Sequence, residues 1–140
     1  MNDAAGQRIR RDERLRSREC INRIFESGYS ARTGTVLARF IFGAERQVAM
    51  RFGFAASRSI GNAVKRNRCK RLLREAVRME KKEYIQRMQA MRRSADIMFI
   101  WSGATADPRK SVLPELRRSM GEVLGAVVAK AVLNDESIAH

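Results

Sequence analysis

The 140-residue chain carries 29 Lys and Arg against 15 Asp and Glu, a formal charge of +14, and 44% of its residues are apolar. That length and apolar content fit one domain around one core, and the charge calls for an anionic partner, either nucleic acid or an acidic membrane. No apolar run approaches the ~18–20 residues that span a bilayer, and the Arg-rich polar start has no secretory apolar core, so a membrane role is set aside and the cytoplasm is expected.

Residues 1–13 have no apolar periodicity and mix Arg8, Arg10 and Arg11 with Asp3, Asp12 and Glu13. They read as a flexible basic arm, either spare or ordered by RNA. Arg14–Ser27 reads as an amphipathic helix with Leu15, Ile21, Ile24 and Phe25 on its apolar side, ended by Gly28 as a C′ residue. Tyr29–Gly34 reads as a turn-rich connector. Thr35–Phe42 alternates, with Val36, Ala38, Phe40 and Phe42 pointing one way and Leu37, Arg39 and Ile41 the other, which is strand periodicity. Gly43–Arg46 reads as a hairpin loop and Gln47–Ser57 as the next strand, with Phe52 and Phe54 on one face. Such phenylalanines build a core more often than a platform for stacked bases.

A basic helix is expected from about Asn62 to Arg92, with Asn62 capping its first turn. Cys69, Leu72, Leu73, Ala76 and Met79 gather on one arc at ~100° per residue. Arg66, Lys70, Arg74 and Arg78 form a row at i, i+4 on another side. Residues 57–78 hold eight Lys and Arg but one acid, Glu75. Like charges at that spacing repel by a few tenths of a kcal/mol per pair, whereas a polyanion turns the same row into a binding surface. An ordinary solvated face would mix signs. Ser94-Ala95-Asp96 breaks the helical pattern, and Ile97–Trp101 reads as a short buried strand. Gly103–Asp107 reads as a loop bounded by Pro108. A last helix is expected from about Ser111 to Ala131, with Pro114 in its first turn. Residues 132–140 read as a frayed tail. The domain proper is therefore 14–131. The order helix, strand, strand, helix, strand, helix, with one further short strand possible, makes an α/β two-layer sandwich: a small mixed sheet packed with helices.

The stretch Ala63-Val64-Lys65-Arg66-Asn67-Arg68-Cys69-Lys70-Arg71-Leu72-Leu73-Arg74-Glu75 resembles the R-N-R signature helix of the bacterial ribonuclease P protein component. Arg51–Ala63 resembles that family's strand and its connection into the helix, and the likeness extends over most of Arg14–Ala131. Cys69 stands where the family usually has an aliphatic residue. The resemblance implies a sandwich with a left-handed βαβ crossover, a handedness rare elsewhere. It implies an RNA-binding, tRNA-processing role within a ribonucleoprotein endonuclease. There the RNA subunit, using Mg²⁺ that it binds mainly itself, hydrolyses precursor tRNA to release the 5′ leader. It further implies that Arg58, Lys65, Arg66, Asn67, Arg68, Lys70, Arg71 and Arg74 meet RNA. The leader would lie in a cleft of Ile21, Phe25, Phe40, Phe54 and Ser57, where Ile21 replaces a frequent Phe. The partners implied are the catalytic RNA and precursor tRNA, with no protein partner.

The residues themselves supply little for bond cleavage. The one histidine is the last residue, His140. There is no HExxH, no phosphate-cradling GxxxxGK and no Cys/His cluster, since Cys20 and Cys69 stand far apart. Glu75, among arginines, reads as a structural ion-pair partner for Arg71, Arg74 or Arg78. No catalytic or metal-binding residue is expected on the chain. Two other readings stay open: a structural RNA-binding protein of ribosomal type, and a stand-alone nuclease, which the missing general base disfavours.

Overall fold

The computed structural model describes residues 8–102 and 112–139, with side chains as far as Asn134. The first seven residues of the expected arm, the loop expected at 103–107 with Pro108, and His140 lie outside them. The elements run α1 (Arg18–Ser27), β1 (Tyr29–Thr33), β2 (Val36–Ala44), β3 (Met50–Ala56), α2 (Ala63–Ala90), β4 (Arg93–Trp101) and α3 (Leu113–Ala139), with 3-10 turns at Arg11–Glu13 and Arg58–Ile60. The sheet order is β1-β2-β4-β3. β1, β2 and β4 are antiparallel in turn, and β3 is parallel to β4, with α2 as the crossover between them.

β4 lies inside the sheet between β2 and β3, and of the four described strands it is the only one buried along nearly all its length. Two sequence expectations change as a result. Gly43–Arg46 is not a hairpin loop, because β4 sits between β2 and β3 and the connection spans it. Ser94-Ala95-Asp96 does lie beyond the end of the helix, but it belongs to β4, which begins at Arg93 rather than at Ile97. A buried aspartate is tolerated only with partners, and Asp96 has three. Arg51 donates two hydrogen bonds of 2.9 Å, Arg46 forks onto both carboxylate oxygens, and the Cys20 thiol donates at 3.1 Å.

The parity expected of β2 holds. Val36, Ala38 and Phe40 join Met50, Phe52, Ala95, Ile97, Phe99 and Trp101 beneath α2 and α3. On the other face α1 lays Cys20 and Ile24 over Met98, with Ile41 and Ala55 beside them. The expected two-layer core is thus present, and α1 adds a partial third layer. The two cysteines are free and buried on opposite faces of the sheet.

Several boundaries also move. α1 starts at Arg18 under the Ser17 cap rather than at Arg14. Arg14 instead pairs with Phe52 as a short parallel bridge, and Leu15 N–H donates to the Phe52 carbonyl at 2.8 Å. Gly28 has an extended backbone, not a left-handed one. It must be glycine because a Cβ there would stand 2.4 Å from the Ile24 oxygen. Tyr29–Thr33 is the further short strand, turned into β2 through Gly34 at φ +59°. The tail expected to fray from 132 stays helical to Ala139. It is tied down by Arg93 donating to the Ala131 carbonyl at 2.7 Å and by Asn134 donating to the Tyr29 hydroxyl at 2.8 Å. Within the expected arm, Ile9 and Glu13 are buried in the body of the protein.

Burial works against ionisation of Asp96, but the hydrogen bonds from Arg51, Arg46 and Cys20 outweigh it and lower its pKa from 3.8 to about 2. A depressed carboxylate contributes stability above its unfolded pKa and loses it as pH falls through the folded one. Denaturant titrations should therefore find the wild type losing stability between about pH 4 and pH 2 on account of this group. Asp96→Asn should lack that component and be about 3 kcal/mol less stable at neutral pH. Equal pH profiles for the two proteins would show that Asp96 does not hold the sheet.

Candidate nucleic-acid interface

The basic helix is launched by a stiff connection. At the end of β3, Ser57 N–H donates to the Trp101 carbonyl at 3.1 Å, and the Ser57 hydroxyl accepts from Ser59 N–H at 3.3 Å inside the 3-10 turn. Gly61 follows at φ +141°, a backbone that only glycine adopts without strain. Asn62 Oδ1 then accepts from Lys65 N–H at 3.0 Å, the expected cap. Arg66 reaches back and donates to the Gly61 carbonyl at 2.9 Å, so it straps the turn as well as carrying charge.

Cys69, Leu73, Ala76 and Val77 anchor the inner face of α2 in the core, with Leu72 packed against it. Arg58, Lys65, Asn67, Arg68, Arg71 and Arg74 are exposed, while Arg66 and Lys70 are half-buried. From Lys65 to Arg78 there are seven Lys and Arg and one acid, Glu75. Glu75 accepts two hydrogen bonds from Arg78, at 2.6 and 3.1 Å, which fits its expected structural role. The eight residues expected to meet RNA are therefore gathered along one turn and one helix end, and their surface is cationic.

The second expected site is only half assembled. Ile21 and Phe25 lie one turn apart on α1. Ile21 packs against the smaller core, and Phe25 is 46% exposed. Phe40 and Phe54 project from the opposite face of the sheet. Phe40 is 1% exposed and packs edge-on to Phe42 at 5.5 Å. Phe54 stacks on Phe99 at 5.9 Å beneath the Arg74 guanidinium. Neither can share a cleft with Phe25, and Ser57, at the end of β3, holds the 3-10 turn.

Strand parity points to what replaces them. Leu37, Ile100 and Ala55 occupy one row across β2, β4 and β3, on the α1 face, and all three are half-buried. Arg39, the next α1-facing residue along β2, donates through one terminal nitrogen to the carbonyls of Ile24, Phe25 and Gly28 at 3.1–3.4 Å. A cation against the carbonyl end of a helix is favourable, so Arg39 pins the end of α1 that carries Phe25. The signal for this row was present in the alternation of β2, but the sequence did not say which face α1 would cover.

Among the described residues no three His, Cys, Asp or Glu side chains converge as a metal site. Asp96 is occupied by Arg46 and Arg51, and Glu13 by Lys81. Among the described residues no helix is long and apolar enough to cross a membrane.

Fold and surface together define a small α/β protein with a cationic helix on one side of its sheet and a row of half-buried apolar residues on the α1 side, a surface suited to a polyanion. The Ribonuclease P family model matches residues 9–127, and the chain belongs to that family. A ribonuclease P protein component of Syntrophus aciditrophicus is 30% identical over 116 residues, covering 83% of this chain and 87% of the relative. One from Brevibacillus brevis is 44% identical over 73 residues, a match covering 51% of this chain but only 57% of the relative's length. The Staphylococcus aureus RNase P protein structure superposes with a TM-score of 0.60 over 82% of this chain and 94% of its own, at 22% identity, a likeness of fold.

The corrected face assignment has a direct check. Phe40→Ala should cost about 3–5 kcal/mol of folding stability, as for a buried aromatic. Phe25→Ala should cost less than about 1 kcal/mol, because an exposed ring fills no core. Comparable losses in denaturant unfolding would mean that Phe25 is a core residue.

Proposed function

We propose that the chain is the protein subunit of a bacterial ribonuclease P, acting in the cytoplasm in the 5′ maturation of precursor tRNA. The observation that carries this reading is the R-N-R helix, fixed behind β3 by a rigid turn and cationic along its outer side, in a member of this family. In this reading Arg58, Lys65, Arg66, Asn67, Arg68, Lys70, Arg71 and Arg74 bind the catalytic RNA. Arginine suits the task because its planar fork can bridge two phosphate oxygens. Asn67 supplies hydrogen bonds rather than charge. The 5′ leader of precursor tRNA lies along α1, with Ile21 and Phe25 on one side and Leu37, Ala55 and Ile100 as the floor.

Hydrolysis falls to the RNA. Asp96 and Glu13 are already held by arginine and lysine, and in this reading Mg²⁺ is bound mainly by the RNA subunit. The chain contributes charge neutralisation and a track for the leader.

Precursor tRNA is incubated at low Mg²⁺ with the protein alone, with cognate ribonuclease P RNA alone, and with both. Efficient cleavage only in the mixture is expected. Cleavage by the protein alone would make it a nuclease, and no effect in the mixture would leave a structural RNA-binding protein. Within the mixture, Phe25→Ala should weaken binding of long-leader substrates by about 1–3 kcal/mol, the scale of one stacked base. Mature tRNA binding should not change. An equal loss on both substrates would remove the leader from α1.

A further inference from the structure

The segment before α1 builds a second groove. Residues Arg8–Arg16 run between the outer edge of β3 and the long helix α2. Three anchors hold them: Ile9 buried in the main core, Leu15 bonded to the Phe52 carbonyl, and Glu13. The Glu13 carboxylate accepts two hydrogen bonds from Lys81 Nζ at 2.9 and 3.1 Å, and the two side chains are only 3% and 5% exposed. Arg10 N–H closes the turn onto the same carboxylate at 2.8 Å.

Between this strap, β3 and α2 lie two adjoining cavities of about 400 and 210 Å³. They share Ile9, Arg14 and Arg74. Arg8, Arg14 and Arg16 line them from the strap, and Arg71, Arg74 and Arg78 from the helix. Glu75 is the single acid in that lining, and Arg78 holds it. The floor is apolar at Phe52 and Phe54, with the Arg74 guanidinium 5.4 Å from the Phe54 ring centroid.

With Arg78 held by Glu75, the other five guanidinium groups of the lining repel one another unless an anion joins them. A cationic channel combined with a planar, stacked guanidinium is the chemistry that tracks one RNA strand by its phosphates and offers a surface to a base. Because the strap is anchored at three points, the site is formed without first ordering a loose tail.

We propose that this groove binds the sugar–phosphate backbone of a single-stranded segment of the RNA subunit. The inference rests on the ribonuclease P reading. The RNA subunit is favoured over the leader because Arg71 and Arg74 continue the stripe of α2 assigned to that RNA. The leader's floor, Leu37, Ala55 and Ile100, looks out from the α1 face instead.

The test uses the full-length chain carrying Arg8→Gln, Arg14→Gln and Arg16→Gln together, none of them among the residues already assigned to RNA. Binding to the RNA subunit is measured from ~50 to ~300 mM salt. The slope of log affinity against log salt should become shallower by about 2, at ~0.7 for each of three phosphates on a single strand. Affinity at ~0.1 M salt should fall roughly 10- to 100-fold. The Arg→Lys triple should keep the slope, and the holoenzyme's preference for long over short leaders should be unchanged by either triple. An unchanged slope in the Gln triple overturns the groove while leaving the proposed function standing. A changed leader preference with unchanged RNA-subunit binding also overturns it, because the strand would then be the substrate's. If the wild type itself does not bind the RNA subunit, the proposed function fails together with the groove.

Discussion

One carboxylate in the central strand holds the parts of this structure together. Asp96 takes hydrogen bonds from Arg51 on the neighbouring strand, Arg46 on the link that crosses β4, and Cys20 on α1. Thus a strand pairing, a crossover and a helix docking all converge on a single buried anion. Such a group is costly without partners and strongly directional with them. Its position sets where α1 lies on the sheet, and therefore which strand residues remain open beside Phe25. Arg39 completes the placement by pinning the other end of the same helix.

A different constraint governs the opposite side. The outer face of α2 carries charge that folding does not neutralise, and its stability comes from the inner face, where Cys69, Leu73, Ala76 and Val77 are fully buried. The stiff turn at Gly61 and the Asn62 cap set the helix start. Exposed like charges on a fixed helix cost little in water but gain much when phosphates replace their counterions. Surplus charge thus sits where the core does not need it.

Much of this was legible in the chain and some was not, for identifiable reasons. The start of α2 follows from local signals, a capping asparagine and a 3.6-residue apolar arc, and it falls where those signals put it. The parity of β2 was equally local. The insertion of β4 between β2 and β3 depends on pairings 45 to 65 residues apart, which no local pattern encodes. Phe40 and Phe54 look like candidates for a base-stacking cleft until one knows which face α1 covers. Nothing local in the sequence marks Glu13 or Lys81 for burial. Each is buried only because the other, 68 residues away, satisfies it. Asp96 looked like a break in a pattern for the same reason, since its three partners lie on other elements.

In the function proposed above, this chain binds and positions while RNA performs the chemistry. The most direct measurement is the single-turnover cleavage rate of Arg68→Ala at saturating protein and raised Mg²⁺. Arg68 is exposed on α2, so its loss should leave the fold intact and weaken assembly by ~1–3 kcal/mol. Once assembly is saturated, the variant should cleave precursor tRNA at close to the wild-type rate. Full binding with cleavage abolished even at high Mg²⁺ would contradict it and give the chain a direct part in the reaction.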